Sequence, residues 1–156
     1  MAALGELLSG TSRQSLLSVI QRGDVIRMEL TPEEGVKPKN EGGESRNKYF
    51  IVLGKTADGR LIGFVLINTN INQNLSLPLK NLHYPLSAAR YPFLGKTRYV
   101  DCAQLKEIAL DKFSDRYRCQ SFGKIDDEDL LHISEAVKSS PLETKKHLRR
   151  FGLSDV

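Results

Sequence analysis

Apolar and polar positions divide the chain into stretches of different period. From Leu4 to Arg22, Leu7, Leu8, Leu16, Leu17 and Ile20 recur at roughly helical spacing, with Thr11 or Ser12 placed to cap Arg13–Arg22 and Gly23 to stop it. The spacing predicts a helical arm over 1–22. Alternation follows: Ile26, Met28 and Leu30 are separated by Arg27 and Glu29, which predicts a strand over Asp24–Leu30 with one buried face. Thr31–Asn47 holds two prolines, three glycines and almost nothing apolar, and predicts a long mobile loop. Tyr49–Leu53 and Ile62–Ile67 are apolar at both parities and flank Asp58-Gly59, so Lys48–Lys55 and Leu61–Asn68 read as a β-hairpin of central strands.

The stretch from Asn68 to Phe93, rich in Asn and Pro, reads as a surface excursion in which Leu75, Leu77, Leu79, Leu82 and Tyr84 still pack. Tyr99–Cys102, Leu105–Leu110 and Arg116–Phe122 read as short strands. Asp126 to Asp129 place negative charge where a helix start favours it, ahead of Leu130, Leu131, Ile133 and Val137, which predicts a helix ending near Ser139. Pro141 then opens a last helical stretch to Arg150. The fold class expected is mainly β with flanking helices (α+β). It forms one domain: a helical arm over 1–22, a strongly bent sheet or small barrel over 23–125, and one or two helices over 126–151.

A chain of 156 residues is long enough to bury a core unaided. Its apolar runs fall far short of the roughly 20 residues that cross a bilayer, and no basic region precedes an apolar stretch at the N-terminus. A cytoplasmic protein without a membrane span is therefore expected. Cys102 and Cys119 match no metal or redox spacing and read as free, buried thiols. His83, His132 and His147 show no metal-ligand spacing, so neither a metal nor a cofactor is expected. Charge sharpens the picture through its distribution. Residues 46–124 carry thirteen Lys/Arg against five Asp/Glu, net +8, whereas 1–45 and 125–156 are each at −2. A basic centre suits a polyanion such as RNA, because each neutralised phosphate releases counterions.

The order of helix, strand, polar loop, apolar hairpin, short strands and acidic-capped helix resembles the MazF/PemK/Kid toxin superfamily. The resemblance rests on Gly23-Asp24-Val25-Ile26, Asn47-Lys48-Tyr49-Phe50-Ile51-Val52-Leu53, Val65-Leu66-Ile67-Asn68-Thr69, and Gly123-Lys124-Ile125 followed by Asp127-Glu128-Asp129-Leu130-Leu131. These cover about residues 23–138. It implies an SH3-like barrel that dimerises and cuts single-stranded RNA without a metal, neutralised by a cognate antitoxin protein. The family's Arg before the second strand corresponds to Lys48, with Arg46 two residues earlier, and its Thr at the end of the third strand to Asn68 or Thr69. A lysine stabilises a phosphate as a point charge and lacks the planar fork of Arg.

Three functional readings follow. In the first, a homodimer sets Lys48, Asn68 and Thr69 around a scissile phosphate, with Arg46, Lys37, Lys39, Asn70, Asn72 and Arg98 as further RNA contacts. In the second, the same barrel is a non-catalytic RNA- or protein-binding module. In the third, the helical arm and the basic last helix hold a protein partner. Tyr84, Tyr91, Phe93 and Tyr99, interleaved with Arg90, Lys96 and Arg98, are available for base stacking or for the core. No Gly-rich phosphate loop, nucleophile elbow or paired carboxylates support nucleotide hydrolysis, acyl transfer or glycosidase chemistry.

Overall fold

The computed structural model describes residues 20–31, 34, 46–71, 73–117 and 121–153. Strands are β1 (Asp24–Leu30), β2 (Arg46–Lys55), β3 (Leu61–Asn68), β4 (His83–Leu86), β5 (Arg98–Asp101), β6 (Lys106–Ala109) and β7 (Ser121–Lys124). Helices are α1 (Leu77–Lys80), α2 (Leu110–Arg116), α3 (Asp127–Ser139) and α4 (Lys145–Arg150). The sheet runs β4-β5-β3-β2-β1-β7, every pairing antiparallel. β6 joins it by pairing with β3 at Leu61–Phe64, while β5 takes the other end of β3 at Ile67 and Asn68. The chain is thus mixed α+β around a curled antiparallel half-barrel.

The apolar runs of the hairpin explain why its strands sit in the middle. Phe50, Ile51, Val52 and Leu53 are all at most 1% exposed, so both faces of β2 are covered. One face buries Ile26, Met28, Leu30, Phe50, Val52, Phe64 and Leu66 beneath Phe113 of α2. The other buries Val25, Ile51, Leu53, Val65 and Ile67 with Ile133 and Val137 of α3, Leu148 of α4 and Phe151 beyond it. The predicted turn forms as its chemistry requires. Gly59 takes a positive φ of 71°, its N–H donates to Thr56 O at 2.9 Å, and Asp58 accepts from Thr56 Oγ1 at 2.6 Å and from Arg60 N at 3.0 Å.

Two irregularities bend the sheet. Val52 faces Phe64 but Gly54 faces Gly63, which leaves Leu53 as the extra residue of a β-bulge, and a second register shift separates Val25 from Ile26 against β7. At the first of these, two glycines admit Phe151. A Cβ on Gly63 would sit 2.7 Å from the Phe151 ring, and a Cβ on Gly54 would collide with the Phe151 carbonyl oxygen.

Several expectations change. The excursion from Asn68 to Phe93 contains α1 and β4, and Leu77, expected to pack, is 68% exposed. Leu110–Arg116 is a helix, so the last strand starts at Ser121 rather than Arg116. β5 and β6, both expected as strands, each pair with β3. Pro141 lies in a turn, and α4 starts later, where Thr144 Oγ1 accepts from His147 N at 3.1 Å as an N-cap. The polar loop is anchored at its start. Glu34, 3% exposed, accepts from Thr31 N at 3.1 Å and Thr31 Oγ1 at 2.7 Å and pairs with Arg116. The helical arm predicted over 1–22 has a described end, residues 20–22, that is irregular and a turn rather than helix; residues 1–19, Cys119 and most of the loop lie outside the described residues.

Candidate functional site

The register of the central hairpin decides which polar residues meet. Tyr49 is opposite Ile67 in the β2–β3 ladder, so one position further Lys48 stands opposite Asn68. Side chains alternate between faces along a strand. Lys48 and Asn68 therefore share the face of Phe50, Phe64 and Leu66, at its rim, and Lys48 Nζ donates to Asn68 Oδ1 at 2.6 Å. Two residues named from the sequence as catalytic are thus joined across strands although they stand twenty positions apart. An ammonium carries three N–H donors; Asn68 engages one of them and orients the charge at the strand end.

Tyr99 of β5 pairs with Asn68 on its other side. Beyond β3 the chain passes through the exposed Thr69 and Asn70, with Asn70 Nδ2 at 3.5 Å from Thr69 Oγ1. Asn70, Ile71, Gln73 and Tyr99 line an open groove of about 340 Å³. This end of the sheet accordingly gathers a cation, amides, a hydroxyl and a half-buried aromatic ring. Such a set can hold an anionic oxygen and stack a planar base.

Other predicted contacts are placed differently. Arg98 lies one residue before Tyr99 and so on the opposite face of the sheet, where its guanidinium stands 5.0 Å from the Tyr49 ring centroid and its Nε donates to Leu94 O at 2.8 Å. Arg46 opens β2 opposite Leu30. Lys37, Lys39 and Asn72 lie outside the described residues.

Asp129 was read as one of several helix-dipole charges, and the structure gives it another role. It is 4% exposed at the start of α3 and accepts from Tyr84 Oη at 2.5 Å and from Tyr91 Oη, with Arg90 Nε at 3.3 Å. Burial alone would push its carboxyl up, but the two tyrosine hydrogen bonds and the Arg90 charge hold it below the ordinary carboxylate range. Burial and then the Asp129 bond push the Tyr84 hydroxyl up to about 12, and the same causes raise Tyr91. His132 stacks on Tyr84 with ring centroids 6.0 Å apart. These aromatics hold β4 and the following turn to α3. Their spacing along the sequence gives no sign of this, since Tyr84 and the adjacent Arg90 and Tyr91 lie in segments far from Asp129.

Cys102 is fully buried, and burial followed by the Asp101 charge raises its thiol to about 12, so it acts as an apolar filler. His83 and His147 are tied to neighbours: His83 Nδ1 lies 3.0 Å from Leu79 O, and His147 Nδ1 lies 2.7 Å from Glu143 Oε1. Among the described residues, no group of three or more His, Cys, Asp and Glu is placed to hold a metal ion. None of their helices is long and apolar enough to cross a membrane. No protein-family model matches the chain, and no curated protein is significantly similar to it.

Proposed function

We propose that this chain is a MazF/PemK-like protein that acts on single-stranded RNA at the Lys48–Asn68 end of its sheet, as a metal-independent endoribonuclease of a toxin–antitoxin pair. The observation that carries the reading is the 2.6 Å contact between Lys48 Nζ and Asn68 Oδ1, beside the groove lined by Asn70 and Tyr99. In this reading the curled sheet is an SH3-like barrel, the protein works in the cytoplasm as a homodimer, and an antitoxin protein occupies the RNA site. RNA cleavage by the neighbouring 2′-hydroxyl requires that proton to be removed, the leaving oxygen to be protonated, and charge on the phosphate to be stabilised. Lys48 supplies the stabilising cation, Asn68 fixes its direction, and Thr69 brings a hydroxyl to the strand end. Tyr99 offers a ring against which a base can stack.

A second reading keeps the site and removes the reaction. Lys48, Asn68 and Thr69 are a cation, an amide and a hydroxyl, none of which readily takes a proton near neutral pH. That set favours a module that binds RNA without cutting it. Incubation of the purified protein with a long single-stranded RNA in EDTA, with products mapped by primer extension, separates the two. The nuclease reading expects defined cuts, reduced about a hundredfold in rate by Lys48→Ala, the cost typical of losing one donor to a developing oxyanion. Intact RNA together with salt-sensitive binding that Lys48→Ala weakens would establish the binding module. RNA neither cut nor bound would overturn both.

A further inference from the structure

Lys48 and Tyr49 are consecutive on β2 and so point to opposite faces of the sheet. Behind the Lys48 face, Tyr49 stands between two cations. Arg27 is its register partner on β1, with the guanidinium 5.4 Å from the ring centroid, and Arg98 reaches it from the start of β5 at 5.0 Å. Arg27 is exposed, and Tyr49 and Arg98 are half-buried. Among the described residues no carboxylate pairs with either guanidinium. Drawing two like charges to one ring costs repulsion that each ring contact offsets by only about 0.5–1 kcal/mol at an exposed position. An anion held past the edge of the ring by both guanidinium groups would reduce that repulsion.

A guanidinium resting on an aromatic ring uses its π face and leaves its in-plane N–H donors at the edge, the geometry that binds two phosphate oxygens at once. The Arg98 Nε is spent on Leu94 O, which fixes that side chain and leaves its terminal nitrogens to meet a ligand. We infer that Arg27 and Arg98, held on Tyr49, form a second phosphate-binding position that takes an RNA strand where it leaves the Lys48–Asn68 site and passes over the end of the sheet. Tyr49 is a positioning residue, and the two arginines make the contacts. The inference rests on the RNA reading above and adds to it a path: one phosphate at the Lys48 face, the next contacts on the reverse face.

The test is binding of a fluorescent single-stranded 2′-O-methyl RNA, which cannot be cut by attack of its own 2′-hydroxyl, measured by anisotropy over a salt series. Arg27→Ala is the decisive variant, because Arg27 is exposed and, among the described residues, its polar group has no interaction besides the Tyr49 ring contact. It should weaken binding about tenfold at low salt, as expected for a lost hydrogen bond to a charged group. It should also reduce the slope of log affinity against log salt by about 0.7 for each phosphate released. Tyr49→Leu should weaken binding at unchanged charge. Binding and slope unchanged in Arg27→Ala and Arg98→Ala, with Lys48→Ala weakened, would overturn this inference and leave the RNA reading standing. Weakening by the arginine variants but not by Lys48→Ala would keep the arginine pair as a phosphate position and overturn both the Lys48 site assignment and the path from it. No binding by the wild-type protein would overturn both.

Discussion

Asp129→Ala is expected to lower the stability of the protein by about 4 kcal/mol, near the upper end for a single substitution. Two phenolic hydroxyls lose their acceptor at once, because Tyr84 Oη and Tyr91 Oη both donate to this one carboxylate. A donor left unsatisfied in a buried setting costs about 1–3 kcal/mol. Arg90 also loses a carboxylate, although it keeps Asp126 Oδ2 at 2.9 Å, so that part of the loss is small. For a chain of this size the change corresponds to a fall in Tm of roughly 8–16 °C. Asp129→Asn keeps the shape and one acceptor oxygen and should lose about half as much. Thermal unfolding of both variants checks the order, and an Asp129→Ala protein as stable as wild type would show that the hydroxyls find other partners.

The same carboxylate sets a pH dependence. Asp129 and Glu34 are both held below the ordinary carboxylate range in the folded protein. A group with a depressed folded pKa contributes its stability in full above the unfolded value, about 4, and loses it as pH falls through the folded value. Stability measured by urea unfolding should therefore fall steeply below about pH 4, and Asp129→Asn should flatten that fall.

The second large effect lies at the bulge. Gly54→Ala is expected to cost about 3 kcal/mol, because the new methyl group meets the carbonyl of Phe151, and backbone cannot rotate away. Gly63→Ala meets the Phe151 ring instead, at 2.7 Å, and should cost less, about 2 kcal/mol. A double-mutant cycle separates the two mechanisms. Phe151→Leu should relieve much of the Gly63→Ala loss and little of the Gly54→Ala loss, measured by urea unfolding of the single and double variants. Equal relief at both positions would mean that the ring, and not the Phe151 carbonyl, limits the fit.

How much of this could be read in advance varies with how local its cause is. The Asp58-Gly59 hairpin, β1, and α3 with its acidic start are each written in one continuous stretch of sequence, and all three appear where the pattern puts them. β4 escaped because Pro85 argues against a strand interior, yet it sits on an edge where a missing donor is tolerated. α2 escaped because Leu110 reads as part of the preceding strand, and the seven-residue helix has only one other apolar residue, Phe113, to mark its buried face. At the site, the hairpin was legible but the meeting of Lys48 and Asn68 was not: the register beside the turn, with Lys55 opposite Ile62, would set Lys48 opposite Thr69, and the bulge at Leu53 moves it to Asn68. The Arg27–Tyr49–Arg98 stack needs β5 beside β3, which no local pattern states. Asp129 had the same difficulty: its partners arrive through a turn and an edge strand some forty residues away.

The division of β3 between two neighbours has a consequence for how this sheet meets other chains. Because β5 and β6 share one side of β3, the described sheet ends in short strands: β4, β6 and β7 are each four residues long. Pro85 removes a backbone donor from the outermost of them. A long flat margin is what recruits a foreign strand into runaway pairing, and four-residue margins give such a strand little to grip. The long apolar strands that would aggregate most readily, Arg46–Lys55 and Leu61–Asn68, are walled in on both sides by their own neighbours. The fold thus keeps its stickiest segments at the centre and presents the outside with strands too short to seed a fibre.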